Sequence, residues 1–323
     1  MTHHRLAINL CGIELRNPVI AASGTFGYGL EFASILDLNM LGGLVTKGLS
    51  RHPIAGNPPP RLWHTEGGMM NSVGLQNVGV IAFVRDKLPK LRRYAVPVIA
   101  NVFGFTAEDY TEVIRVLEDA EGLAAYELNV SCPNTRHGGI YFSSDPQLLS
   151  DVVTPVCRIA RRPVIVKLSP NVMNIKPLAE AAENAGAGAI SLINTFVSLA
   201  LDAKTRRSRI GAGLAGLSGP AIKPLALRLV YEAARAVTIP VIGLGGILTG
   251  EDAAEFLIAG ASAVQVGTAT FIDPRSPLRI AEELDRVAER LNIANIRQLV
   301  GTVQLPAAAP QNKQTAEACK IEQ

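Results

Sequence analysis

The chain has 323 residues, 48% of them hydrophobic, 18% charged and only 5% aromatic, with a formal net charge of +3. So much aliphatic area excludes a disordered chain. The mild charge argues against nucleic acid as the main partner, and 4 cysteines in this length exclude a disulfide-rich scaffold. No apolar run approaches the roughly 18 residues that a membrane span needs. The opening Met-Thr-His-His-Arg lacks the apolar segment of a secretory signal.

In chain order, the first segment, residues 6–15, reads as a hairpin turning near Cys11 and Gly12. Eight short β-branched runs follow, at 18–22, 43–46, 97–101, 125–129, 163–167, 189–193, 240–243 and 263–266. Near-continuous apolar strands are what a parallel sheet buried on both faces requires. Between most of them lie helical stripes, such as Val113, Val116, Leu117 and Ala120, or Ile175, Leu178, Ala179 and Ala182. A third stripe, Ile222, Leu225, Ala226, Leu229, Val230 and Ala233, follows Pro220, and Thr249 with Asp252 has capping-box spacing. Eight strand–helix units predict an α/β fold, a (β/α)8 TIM barrel over residues 1–300, with the hairpin at the barrel bottom. An open doubly wound sheet is the alternative. Connections 48–76, 130–145 and 194–219 are long enough to be active-site lids. Residues 301–323 read as a flexible tail.

The chemistry of such a barrel gathers at the C-terminal ends of its strands. Gly245 and Gly246 follow the seventh run, and Gly267 and Thr268 follow the eighth. That is where barrels present backbone N–H groups to a phosphate. Residues 211–216 match G-x-G-x-x-G but follow a basic stretch rather than a strand, so a flexible lid is expected there in place of a dinucleotide site. Cys132 leaves the fourth strand between Asn129 and Asn134. A thiol there could fill space, accept a proton or attack as a nucleophile, and the flanking amides suit a ring of alternating N–H and C=O groups. Lys47 and Lys167 end the second and fifth strands, where a buried ammonium requires an anion. Snorkelling, a salt bridge, or a Schiff base with a carbonyl substrate are the rival roles. Asn71, Asn101 and Asn194 add neutral hydrogen-bonding groups, whereas His52, His64 and His137 have no metal-site spacing. Cys11, Cys132, Cys157 and Cys319 likewise show no paired spacing, so neither an iron–sulfur cluster nor a metal is expected on this polypeptide. Their reduced state would suit a cytoplasmic protein.

Eight motifs in order, Thr46-Lys-Gly48, Asn71-Ser-Val-Gly-Leu75, Asn129-Val-Ser-Cys-Pro-Asn134, Val166-Lys-Leu-Ser-Pro170, Ile193-Asn-Thr195, Leu217-Ser-Gly-Pro220, Gly245-Gly246 and Gly267-Thr268, carry a resemblance. The chain resembles class 1 dihydroorotate dehydrogenases over about 300 residues. The resemblance implies one FMN per chain and oxidation of dihydroorotate to orotate in pyrimidine biosynthesis. It makes Cys132 the base and gives Lys47 and Lys167 catalytic roles. It assigns Lys47, Asn71, Ser72, Val73, Gly74, Leu75, Asn129, Asn134, Asn194 and Thr195 to the substrate. It assigns Ser23, Lys47, Gly48, Asn101, Asn129, Lys167, Ile193, Gly219, Gly245, Gly246, Gly267 and Thr268 to the flavin. Val73 departs from the bulkier Met of some relatives. Residues 167–171 and 216–224 resemble the NAD-linked subtype. That subtype implies a heterotetramer of two catalytic chains and two partner subunits, the latter carrying FAD and a [2Fe-2S] cluster. A fumarate-linked class 1 enzyme, a dihydropyrimidine or dihydrouridine oxidoreductase, and a non-catalytic phosphate-binding barrel are the alternatives.

Overall fold

The structure, a computed structural model, describes residues 4–130 and 142–306. Cys132, Asn134 and His137, and Cys319 in the tail, lie outside the described residues. Eight parallel strands close into a barrel in sequence order. They are β1 (Val19–Ala21), β2 (Gly43–Val45), β3 (Val98–Val102), β4 (Ala125–Asn129), β5 (Val164–Lys167), β6 (Ala189–Leu192), β7 (Val241–Leu244) and β8 (Ala263–Val266). Each coincides with one of the predicted runs. Val264 beside Val19 closes the ring. Except for Asn129 at the end of β4, every strand residue is buried, the physical reason these runs are apolar on both faces.

Helices Ala107–Glu118, Pro146–Ile159, Lys176–Asn184, Lys223–Ala234, Gly250–Ala259 and Ser276–Arg290 follow β3 to β8. The predicted stripes supply their inner faces with one correction: Ala226, Leu229, Val230 and Ala233 are buried, whereas Leu225, placed in the same stripe, is exposed. The first two connections are less regular. β1 reaches β2 through single 3-10 turns, Leu30–Phe32 and Leu38–Met40, with Phe26 stacked on Phe32 at 4.0 Å. The helical segment before β3 passes through a π turn, Phe83–Lys87. Pro89, which has no N–H to give to the helical ladder, follows after Leu88.

The N-terminal hairpin pairs Ile8–Leu10 with Ile13–Leu15. Cys11 (φ 52°) and Gly12 (φ 85°) supply the two left-handed residues that a tight hairpin turn needs. The Cys11 thiol donates to the carbonyl of Gly188, the residue before β6, so the hairpin covers the N-terminal end of the barrel as expected.

The long connections after β2 and β6 are not separate lids. Leu62–Thr65, Gly68–Asn71, Ala215–Ser218 and Phe196–Ser198 form one four-stranded antiparallel sheet. The expected flexible lid at 211–216 is corrected here. Gly216 lies in a strand paired on both sides, with Asn71 and with Val197, and a Cβ on it would collide with the Thr195 side chain. Beyond the last long helix, Gly301 and Val303 donate to Leu257 and Ile258 carbonyls. Among the described residues no helix is long and apolar enough to cross a membrane.

Candidate active site

A cavity of ≈ 1340 Å³, counted with its open mouth, sits at the C-terminal ends of the barrel strands. All the predicted site residues that the structure describes line it, except Ser72. Cys132 and Asn134 lie outside the described residues.

The segment from Asn71 to Gln76 is shaped from behind. Asn57 donates from Nδ2 to the Ser72 carbonyl (3.2 Å) and hydroxyl (2.9 Å), which turns the buried Ser72 side chain away from the cavity. The Val73 carbonyl accepts from the Asn57 N–H at 3.0 Å. Gly74 (φ 77°) has no room for a Cβ against Asn57, and Leu75 follows at φ 58°, a conformation that disfavours side chains. The loop thereby turns Asn71, Val73, Gly74 and Leu75 to the cavity.

Opposite lies an amide chain. Asn194 Nδ2 donates to Asn129 Oδ1 at 3.2 Å, Asn194 Oδ1 accepts from the Thr195 N–H at 2.9 Å, and the Tyr110 hydroxyl fixes the Asn129 carbonyl at 2.9 Å. Lys47 borders the same space, its N–H given to the Gly27 carbonyl.

The glycine loops form another wall. Gly245 (φ 126°), Gly246 (φ 81°) and Gly219 (φ 101°) hold conformations open to glycine. A Cβ on Gly246 would lie 2.7 Å from Lys223 Cβ, and one on Gly219 equally close to Gly68 Cα. Behind them, helix Gly250–Ala259 starts with the predicted capping box between Thr249 and Asp252. Burial disfavours ionised Asp252, but the Lys223 ammonium at 2.6 Å and the N–H groups of Leu248 and Thr249 outweigh it and hold its carboxyl below the usual range. Thr268 donates to the Ser218 hydroxyl at 2.8 Å, tying the β8 loop to the covering sheet.

Beneath the cavity is a polar cluster that the sequence reading passed over. Glu127, fully buried in β4, accepts from Asn101 Nδ2 (2.8 Å), Ser191 Oγ (3.0 Å) and Gln265 Nε2 (2.6 Å), and pairs with Lys167 Nζ at 3.6 Å. The anion that buried Lys167 requires is therefore a residue of the chain itself. The signal was available: Glu127 and Gln265 stand in runs that must be buried on both faces, and a buried charge needs partners as much as Lys167 does.

These features fit a phosphate-bearing aromatic cofactor. The described lining includes Lys47 and Lys167, the latter already paired with Glu127 beneath it, and no acidic side chain. Buried Gln265 Oε1 and Thr25 Oγ1, from lining residues, have no hydrogen-bond partner among the described residues. A ligand carrying N–H or O–H donors and negative charge matches both. Among the described residues no cluster of three or more His, Cys, Asp or Glu could hold a metal ion. Cys11 and Cys157 are free thiols whose pKa burial pushes up to about 11, which makes them poor nucleophiles.

Comparison with known proteins agrees with this geometry. The family model described as dihydroorotate dehydrogenase matches residues 5–288. A Solibacter usitatus protein provisionally named dihydroorotate dehydrogenase A (fumarate) is 69% identical, over 93% of this chain and 98% of its own. Proteins of Geobacter sulfurreducens and Geotalea uraniireducens, each named dihydroorotate dehydrogenase B (NAD(+)), catalytic subunit, are 52% and 51% identical over 93% and 92% of this chain and 98% of theirs. The crystal structure of Eimeria tenella DHODH in complex with ferulenol shares the fold, with a TM-score of 0.76 at 21% identity over 93% of this chain and 88% of that one. The chain is an oxidoreductase and belongs to the dihydroorotate dehydrogenase family.

Proposed function

We propose that the chain oxidises dihydroorotate to orotate in pyrimidine biosynthesis, with FMN held in the cavity above the barrel. The observation that carries this reading is the convergence of Lys47, Asn71, Asn129, Lys167, Asn194 and the glycine loops on one cavity. When bound, FMN supplies an acceptor for the hydride that leaves C6 of the substrate.

The chain's own residues do the rest. Lys47 meets the substrate carboxylate as a fixed charge, and Asn71, Asn129 and Asn194, with Thr195 and the backbone of Gly74 and Leu75, grip the ring. Cys132 Sγ removes the C5 proton; its assignment rests on the motif in which it stands. Ser23, Gly48, Asn101 and Ile193 line the flavin. Backbone N–H groups at Gly219, Gly245, Gly246 and Gly267, with Thr268, hold the phosphate. Lys167, kept in place by Glu127, would set a fixed positive charge beside the flavin ring and favour its reduced, more negative form. Leu62, Met69, Asn71 and Ser218 of the four-stranded sheet line the cavity, where a bound substrate beneath them would be shielded from water.

Substituting Cys132→Ala should lower turnover by roughly 10²–10⁴-fold while FMN stays bound. Cys132→Ser should retain part of the activity with an optimum at higher pH, because a hydroxyl is the weaker acid. Undiminished turnover in Cys132→Ala would contradict the assignment.

For the electron acceptor the reading is NAD, reached through a partner subunit carrying FAD and a [2Fe-2S] cluster in a heterotetramer in the cytoplasm. The relatives named as NAD-linked catalytic subunits support it, as does the resemblance of residues 167–171 and 216–224 to that subtype. The fumarate-named relative favours a second reading, in which the chain works without that partner. Dihydroorotate:fumarate turnover by the purified chain alone would decide for the second. NAD reduction that appears only with a co-purifying iron–sulfur flavoprotein would decide for the first.

A further inference from the structure

Four strands of the barrel send polar groups to Glu127: Asn101 from β3, Lys167 from β5, Ser191 from β6 and Gln265 from β8. A carboxylate only accepts, so it dictates which end of each amide it meets. Asn101 gives Nδ2 to Glu127, which leaves Oδ1 beside Gly48, where an added Cβ would sit 3.0 Å from it. Gln265 gives Nε2, which leaves Oε1 buried and without a partner among the described residues. Both residues line the cavity. A buried acceptor is costly until a donor reaches it.

We propose that Glu127 is a positioning residue that turns the amides of Asn101 and Gln265 so that the cavity presents carbonyl oxygens to the N3–H of the isoalloxazine, the one N–H donor of the oxidised ring. The inference rests on the FMN reading above. The same carboxylate holds Lys167, so one buried anion sets both the hydrogen-bonding register of the flavin and the place of the charge beside it. Were either amide reversed, its NH2 would face N3–H, donor against donor. In Glu127→Gln the new carboxamide brings its own NH2 into a ring of four donors, so at least one neighbouring group has to turn.

The test uses the full chain loaded with 15N-labelled FMN, reading the N3–H resonance, its exchange with solvent and the FMN dissociation constant. Wild type should show a protected N3–H. Glu127→Gln should bind FMN at least tenfold more weakly and exchange N3–H at least tenfold faster. Val166→Ala, in the neighbouring strand, loses packing without touching an amide and should leave exchange near wild type. Should Glu127→Gln not fold, Glu127→Asp serves instead, since a carboxylate withdrawn by one methylene cannot reach all four donors. Wild-type FMN affinity and N3–H protection in whichever variant folds would overturn the inference alone. A wild-type chain that takes up no FMN would overturn the functional reading together with it.

Discussion

Lys167 Nζ lies 3.6 Å from Glu127 Oε1, with the two side chains 7% and 0% exposed. Neither charge has water to fall back on, so each depends on the other. Removing the cation alone strands a buried carboxylate, which typically costs about 3–5 kcal/mol. Lys167→Met should therefore lower the urea midpoint sharply. The double variant Lys167→Met, Glu127→Gln should recover part of that loss. Equal stability of Lys167→Met and wild type would mean that Glu127 is neutralised by something else.

The phosphate wall depends on backbone that no side chain can share. At Gly246, φ is 81° and an added Cβ would lie 2.7 Å from Lys223 Cβ and 2.9 Å from its backbone nitrogen. Gly246→Ala must move the loop or the start of helix Lys223–Ala234. FMN should then bind at least tenfold more weakly, read by fluorescence as free flavin is released. Unchanged affinity would remove Gly246 from the phosphate site.

Asn57 stands behind the substrate loop, bonded to Ser72 and Val73 and packed against Gly74, and its own carbonyl accepts from Arg61. Asn57→Ala should raise KM for dihydroorotate several-fold while FMN content stays at the wild-type level. A fall in FMN content with KM unchanged would place the loop's role at the flavin instead.

Asp252 links the capping box to Lys223 behind the glycine loops. Its folded-state pKa lies below the ordinary aspartate value of 3.8, despite burial, because Lys223 and two backbone N–H groups favour the anion. Stability from such a group is present above the unfolded value and disappears as pH falls through the folded one. Asp252→Asn should cost about 0.5–2 kcal/mol near neutral pH, the range for a lost helix cap. Denaturation at a series of pH values should show the gap between variant and wild type closing below pH 3.8. A gap that stays constant into acid would contradict the ionic account.

The barrel was legible in the sequence because its strands are buried on both faces and interrupted by glycine, proline or polar residues. Strand β4 matches its predicted run residue for residue, and the capping box at Thr249 was visible from spacing alone. The covering sheet was not legible, since its strands are three or four residues long and its two halves meet across more than a hundred positions, as Asn71 does with Gly216. Nothing local distinguishes such strands from loop. The first barrel connection was obscure for a related reason: its 3-10 turns are too short to carry an apolar period. Lys167 was found because it ends a strand, whereas Glu127 sits mid-strand, and only the closed barrel shows four donors turning to meet it.

The most direct test of the central claim is an anaerobic absorbance spectrum of the purified chain before and after adding dihydroorotate. The account predicts the yellow spectrum of bound oxidised flavin, bleached on mixing as orotate forms in equal amount. A protein that remains colourless after incubation with FMN, or a bound flavin that dihydroorotate leaves oxidised, would contradict it.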